Sequence, residues 1–213
     1  MANVFLTGGT GYLGSRLIPL LLSRGHRVRA LVRKGSERKL PAGCEPVFGN
    51  ALDEGSFESA VAPSDTFVQL VGVPHPSPAK AKQFREIDLA SALASISAAK
   101  KANVAHFVYV SVAHPAPAMK AYWQARAEAE AVLEKSGLSA TVLRPWYVLG
   151  PGHRWAYALI PFYWVCERIP STRDSARRLG LVTLAQMLRA LVAAVENPVK
   201  GTRIVPVPEI RTA

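Results

Sequence analysis

Six short apolar runs, spaced by segments of helical periodicity, set the rhythm of the first 145 residues. Val4-Phe5-Leu6-Thr7 enters a glycine-bearing turn, and Ser15 to Ser23 carries a helical pattern. Arg27 to Val32 reads as a second strand and Pro46-Val47-Phe48-Gly49-Asn50 as a short third. Asp53 to Ala60 is predicted as a helix and Thr66 to Val71 as a fourth strand. The Pro-rich loop Val73 to Pro78 stays extended, because proline fixes φ and lacks a backbone donor. Phe84 to Ala102 is a long Ala/Ser-rich helix whose small side chains suit close packing on a sheet, and His106 to Ser111 is a fifth strand. Ala118 to Lys135 forms a helix with Ser136-Gly137 as its stop. Ala140 to Arg144 is a sixth strand closed by Pro145. Apolar strands alternating with helices predict a parallel sheet covered on both faces. The expected fold class is α/β, a doubly wound parallel sheet that binds ligands at the carboxyl ends of its strands.

The turn after the first strand carries glycines at 8, 11 and 14. In that strand–turn–helix context glycine serves the turn itself, close approach to a diphosphate, and tight packing of helix on strand. The following helix presents unpaired N–H groups and the positive end of its dipole. The pattern predicts dinucleotide binding, as in a Rossmann fold, across Gly8, Gly11 and Gly14, with Thr10, Tyr12 and Leu13 lining the phosphate turn. The second strand ends at Arg33-Lys34, where an NAD-preferring site usually has an acid; the first acid of this chain is Glu37. A guanidinium there suits the 2′-phosphate of NADP through paired, charge-assisted hydrogen bonds. NADP(H) is the expected cofactor. NAD(H) stays open, since Arg33 and Lys34 also read as a solvated loop pair.

Beyond Pro145 the pattern loosens. Trp146 to Gly152 is an aromatic, glycine-containing loop, and Arg154 to Ile169 is apolar and aromatic, with Trp155, Tyr157, Leu159, Ile160, Phe162, Tyr163, Trp164 and Val165. Leu184 to Val195 is an amphipathic helix and Thr202 to Val207 a last strand. The expected organisation is a nucleotide-binding domain over residues 1–150 and a small C-terminal cap, 151–213, that completes the same fold. Such a cap would shape a largely apolar substrate pocket. The aromatic segment also reads as a homodimer face or a shallow, peripheral membrane contact.

Composition narrows the function classes. Of 213 residues, 49% are hydrophobic and 19% charged, which suits a globular protein with a sizeable core. No apolar stretch approaches the roughly 20 residues of a membrane span, and the N-terminal run is too short for a signal peptide. Cys44 and Cys166 lie far apart, without metal-type spacing, and read as reduced thiols in a cytoplasmic protein. The net charge of +11 is scattered, with no reading helix or aromatic–basic platform, so a specific nucleic-acid partner is not expected. The five histidines show no metal spacing, so no metal is expected; His114 could donate to a substrate oxygen, and reads equally as a loop histidine.

The motif Thr7-Gly-Gly-Thr-Gly-Tyr-Leu-Gly14, the strand ending at Ser111, the Tyr122–Arg126 helix and the turn Leu143-Arg144-Pro145 resemble an atypical short-chain dehydrogenase/reductase. The nearest groups are NmrA-like proteins and proteins similar to the nucleotide-binding accessory subunit of respiratory complex I, within the wider epimerase/dehydratase neighbourhood. The resemblance covers about residues 2–150. It implies that Asn50, Ala51 and Leu52 border the adenine, and that Gly72 and Pro145, Trp146, Tyr147 and Val148 lie along the ribose and nicotinamide. It also implies a catalytic tyrosine, a lysine four residues later on the same helix face, and a serine after the fifth strand. Here Tyr122 matches, Arg126 replaces the lysine, and Ser111 is the candidate serine, with Val112 at the alternative position. Arginine keeps the charge, but its planar fork does not relay protons. Two functions follow: an NADP(H)-dependent oxidoreductase acting on an apolar carbonyl or quinone-like substrate, or a catalytically degenerate NAD(P)H-binding sensor or accessory subunit. Nucleotide-sugar epimerisation or dehydration is a weaker third, because no polar set for a nucleotide-sugar is evident in the cap.

Overall fold

The alternation of side chains along β1 (Asn3–Thr7) organises the molecule: Val4 and Leu6 enter one core, Phe5 the other, and all three are fully buried. A computed structural model describes residues 1–152 and 154–213, without the side chains of residues 154–156, so Trp155 lies outside the described side chains. After β1 come α1 (Gly14–Ser23), β2 (Arg27–Val32), β3 (Glu45–Phe48) and β4 (Thr66–Gln69). A helical turn α2 (Ala81–Gln83) and a π-helical turn (Phe84–Leu89) lead into α3 (Ala90–Lys101). Then follow β5 (His106–Val110), α4 (Lys120–Ser136), β6 (Ala140–Arg144) and β7 (Tyr147–Leu149). The chain ends with α5 (Ile160–Cys166), α6 (Pro170–Arg178), β8 (Leu181–Thr183), α7 (Leu184–Glu196), β9 (Thr202–Pro206) and α8 (Val207–Thr212).

Seven parallel strands form one sheet in the order β3-β2-β1-β4-β5-β6-β9. This is the expected doubly wound Rossmann architecture. The order reverses between β1 and β4, which opens a crevice at their carboxyl ends. On one face Val4, Leu6, Val28, Val68, Val108 and Leu143 pack with Leu17, Ile18 and Leu21 of α1 and Met187 and Leu191 of α7. On the other, Phe5, Phe67 and Phe107 occupy the same register in three adjacent strands, ring centroids 5.1 and 5.2 Å apart, under Ile96 and Ala99 of α3 and Ala129 and Leu133 of α4. Each such fully buried ring contributes about 2–3 kcal/mol. The helix α4 ends as expected, at Gly137 with φ +79°.

Three segments differ from expectation. Residues 53–60 form two short 3-10 turns, Glu54–Ser56 and Glu58–Ala60, where a helix was predicted. The Ser56 hydroxyl bonds the Asn50 and Asp53 carbonyls and accepts from Asn50 N, a local alternative that competes with helical pairing. The predicted helix at Phe84 begins as a π-helical turn that brings Asp88 inward. The expected loop Trp146 to Gly152 contains β7, which pairs in parallel with β8, a strand with no sequence expectation. α7 starts at a full capping box, Thr183 with Gln186.

His106 begins β5 at the end of the sheet away from the crevice. It is buried, with Nε2 3.0 Å from Thr141 Oγ1, and burial pushes its pKa down from 6.5 to about 4. The fold therefore holds it neutral, whereas the unfolded chain protonates it below pH 6.5. Stability is expected to fall by up to about 3 kcal/mol as pH drops from 6.5 to 4. Urea melts at both ends of that window, compared with His106→Gln, measure this contribution; equal slopes for the two proteins would refute it.

Candidate cofactor and catalytic site

The β1–α1 turn lies at the crevice between β1 and β4. Gly8 has φ +77°, and a Cβ there would stand 2.9 Å from the Leu70 carbonyl carbon. A Cβ on Gly14 would overlap the Gly8 carbonyl oxygen and lie 2.7 Å from Gly9 Cα, so only glycine lets α1 start this close to the turn. A Cβ on Gly11 would meet only Gly8 O, at 3.1 Å, which leaves that side of the turn open. Helix α1 begins after Leu13 with no side-chain cap and no acid in its first turn. An open backbone cradle before an uncapped helix fits a diphosphate. Thr10 is exposed, and Tyr12 stacks under the Arg16 guanidinium at 4.5 Å while its phenol approaches Gly150, beyond β7.

Beneath the turn runs a buried polar chain. Thr7 Oγ1 bonds Gln69 Oε1, Gln69 Nε2 donates to Ser91 Oγ at 3.0 Å, and Val71 N donates to Gln69 Oε1 at 3.0 Å. These bonds tie the ends of β1 and β4 to α3 and fix the crevice floor.

Arg33 is exposed at the end of β2, with no ion pair to any described residue. Asn50 Oδ1 accepts from Leu52 N at 3.1 Å, and Leu52 is 45% exposed. Ala51 is half-buried against the Phe-lined core. Gly72, after β4, has no room for a side chain because Arg126 Nη2 fills that space. Trp146 and Val148 pack on the α7-side core, and the Pro145 carbonyl accepts from Ala113 N at 2.9 Å. Tyr147 packs with Leu149, Leu181, Leu159 and Tyr163 in a small separate cluster.

Tyr122, Arg126 and Glu130 repeat every four residues along α4 and so share a face directed at the end of β5. Tyr122 is half-buried, its ring 5.0 Å from that of Phe84. Burial raises its pKa above 10.0; the neighbouring Arg126 opposes this, and Asp88 adds to it. Arg126 is 6% exposed, its guanidinium 5.5 Å from the Tyr122 ring centroid and 5.8 Å from that of Tyr109. Its Nη2 pairs with Asp88, and its Nη1 donates to the Val110 carbonyl at 2.8 Å. Asp88, wholly buried, also accepts from Val73 N at 2.9 Å. Arg126 is thus anchored internally by both terminal nitrogens.

Ser111 donates to Glu130, which also accepts from Arg144 and has His114 Nε2 at 3.4 Å. These bonds hold the Glu130 carboxyl below its usual range against the opposing pull of burial, so it stays charged. The expected catalytic serine is therefore engaged with a carboxylate, and Val112 and Ala113 beyond it are buried. Asp88 and Glu130 carried no sequence expectation. The signal for Glu130 was its spacing from Tyr122 and Arg126. Asp88 had only its position as an acid between Ile87 and Leu89 on an apolar helix. No group of three His, Cys, Asp or Glu side chains among the described residues could hold a metal ion.

Residues 8–156 match the model of a family described as NAD(P)H-binding. The chain belongs to that family. A Bacillus subtilis (strain 168) relative, "Uncharacterized sugar epimerase YhfK", is 35% identical over 155 residues, covering 67% of this chain and 71% of that protein. A second relative, the 4-hydroxy-2-methyl-3-oxo-4-farnesyl-3,4-dihydroquinoline-1-oxide ketoreductase of Stigmatella aurantiaca, is 26% identical over 170 residues, 70% of this chain and 51% of that one. Among solved structures, the Bordetella bronchiseptica enzyme WbmH in complex with NAD+ superposes with a TM-score of 0.71 at 22% identity, over 97% of this chain and 75% of that one. Family membership shows NAD(P)H binding as the common property, and the relatives include both reductases and an epimerase.

Proposed function

We propose that the chain is an NADP(H)-dependent reductase of an apolar carbonyl or quinone-like compound, with Tyr122 as the proton donor. The observation that carries the reading is the setting of Tyr122: a half-buried phenol on the catalytic face of α4, with its pKa held above 10.0. A phenol of this kind is protonated at neutral pH. It is equipped to give a proton to a carbonyl oxygen, and poorly equipped to take one from an alcohol. The ketoreductase among the relatives supports reduction, although another relative is named an epimerase.

A reduced nicotinamide, when bound, supplies the hydride. Gly8, Gly11 and Gly14 would hold its diphosphate, with Thr10, Tyr12 and Leu13 along the turn. Asn50, Ala51 and Leu52 would border the adenine, and Gly72 and Pro145 to Val148 would flank the ribose and nicotinamide. Arg33 would take the 2′-phosphate, since an exposed guanidinium with no internal partner pairs with it at little cost. Tyr122 gives its proton to the substrate oxygen and is reprotonated from water. Arg126 acts through its charge on Tyr122, and Ser111 through its bond to Glu130, which braces the end of β5. The name of the ketoreductase relative, with its farnesyl-bearing substrate, supports an apolar substrate class.

The test is NADPH consumption over a panel of apolar ketones and quinones, paired with Arg33→Ser. Turnover on a panel member is expected. The variant should bind NADPH about 10- to 100-fold more weakly while binding NADH unchanged. An equal loss for both nucleotides would end the NADP assignment.

A second reading, nucleotide binding without turnover, is favoured by the same internal bonds: Arg126 is spent on Asp88, and Ser111 on Glu130. Saturable NADPH binding with no consumption across the panel would select it.

A further inference from the structure

Helix α5, Ile160-Pro-Phe-Tyr-Trp-Val-Cys166, has no charged residue and yet no buried one. A helix apolar on all sides normally lies inside a core or in lipid. Six of the twelve large apolar side chains exposed among the described residues fall between 157 and 169: Tyr157, Ile160, Phe162, Trp164, Val165 and Ile169. Phe162 and Trp164 are the most exposed, at 62% and 58%. A cluster of exposed apolar side chains within one short segment of the chain marks an interaction site.

The flanking charge says what it fits. Arg168, Arg173, Arg177 and Arg178 are exposed beside α5 and along α6, against one exposed acid, Asp174. Glu167 is already paired with Arg211 at 2.7 Å. The Arg168 guanidinium lies over the Trp164 ring, 3.4 Å from its centroid, so cation and aromatic form one unit. Exposed aromatics bordered by arginines match the region of a bilayer where acyl chains meet anionic headgroups. A second copy of the chain is the poorer fit, because a two-fold contact would set the same arginines against each other. Seven helical residues span only about 10 Å, so α5 can lie in the interface without crossing the bilayer.

We infer that α5 and α6 form a peripheral docking surface for an anionic phospholipid bilayer. The surface adjoins the substrate side of the site: Leu159 and Tyr163 pack against Tyr147 and Leu149 of β7, next to the segment proposed to flank the nicotinamide. Docking there would present the crevice to apolar substrates dissolved in the membrane.

The test is flotation of the full chain with vesicles of phosphatidylcholine alone and of phosphatidylcholine with an equal share of phosphatidylglycerol. It needs no turnover, so its failure is distinct from failure of the reductase assignment. Binding is expected only to the anionic vesicles, and to weaken as salt is raised. Phe162→Ser with Trp164→Ser should reduce partition about tenfold or more, and so should Arg177→Glu with Arg178→Glu. All four side chains are exposed, so melting temperatures should match wild type. Absence of binding to anionic vesicles, or partition unchanged by either double variant, overturns the inference. So does a concentration-dependent dimer, abolished by the aromatic variant, in a chain that does not float.

Discussion

Tyr122→Phe is expected to lower the rate of NADPH-dependent reduction by about 10²- to 10⁴-fold, the usual contribution of a positioned proton donor. NADPH affinity should stay within about twofold, because the phenol hydroxyl acts on the substrate and the Phe84 contact of the ring survives the change. The loss should therefore fall on kcat, without an equal rise in KM. The pH profile adds a second test. Burial is the largest influence on Tyr122 and raises its pKa above 10.0, so the wild-type rate should hold from neutral pH upward and fall only once the phenol ionises. A rate that instead falls with a midpoint near neutrality as pH rises would identify another group as the donor. If the variant keeps full turnover, the role assigned to Tyr122 fails outright.

The fold was legible because its signals are local. Strands β1, β2, β5 and β6 sit where the apolar runs lie, and Gly137 stops α4 where the sequence ends its periodicity. The glycines sit differently: Gly8 has a positive φ, a Cβ on Gly11 would meet only the Gly8 carbonyl oxygen, and Gly14 lies against Gly8 and Gly9 of the turn. What the sequence hid depends on long-range contact. The pairing of β7 with β8 joins Leu149 to Thr183 across 34 positions, and three-residue strands leave no periodicity to read. The 3-10 turns at residues 54–60 arise because one hydroxyl, Ser56, offers the backbone better local partners than a helix would.

The candidate site divides the same way. The sequence identifies Tyr122 and Arg126 as neighbours on one helix face, since that follows from a spacing of four. It cannot say which way the guanidinium turns. That is decided by Asp88, 38 residues earlier in the chain, and by the Val110 carbonyl. Ser111 was likewise visible as a residue at a strand end, while its partner Glu130 lies 19 residues away on α4. The forked Arg126 side chain reaches a buried acid and becomes part of the fold.

Asp88→Ala should then be the most destabilising substitution at the site, by about 3–5 kcal/mol, because it leaves the Arg126 charge buried without its partner. Asp88 is wholly buried and Arg126 6% exposed, so water cannot replace the lost carboxylate without opening the structure. The Val73 N–H would also lose its acceptor. Urea denaturation measures the loss. Adding Arg126→Met to Asp88→Ala should restore a large part of it, since the unpaired charge is then gone and a flexible apolar side chain fills the space beside Tyr109 and Tyr122. The pair also bears on chemistry. Asp88 helps to hold the Tyr122 pKa up and Arg126 to draw it down, so in any Asp88→Ala protein that remains folded the alkaline limb of the rate profile should move to lower pH. A loss below about 1 kcal/mol would mean that Arg126 is satisfied elsewhere, and its direct involvement with bound nucleotide would return as the better account.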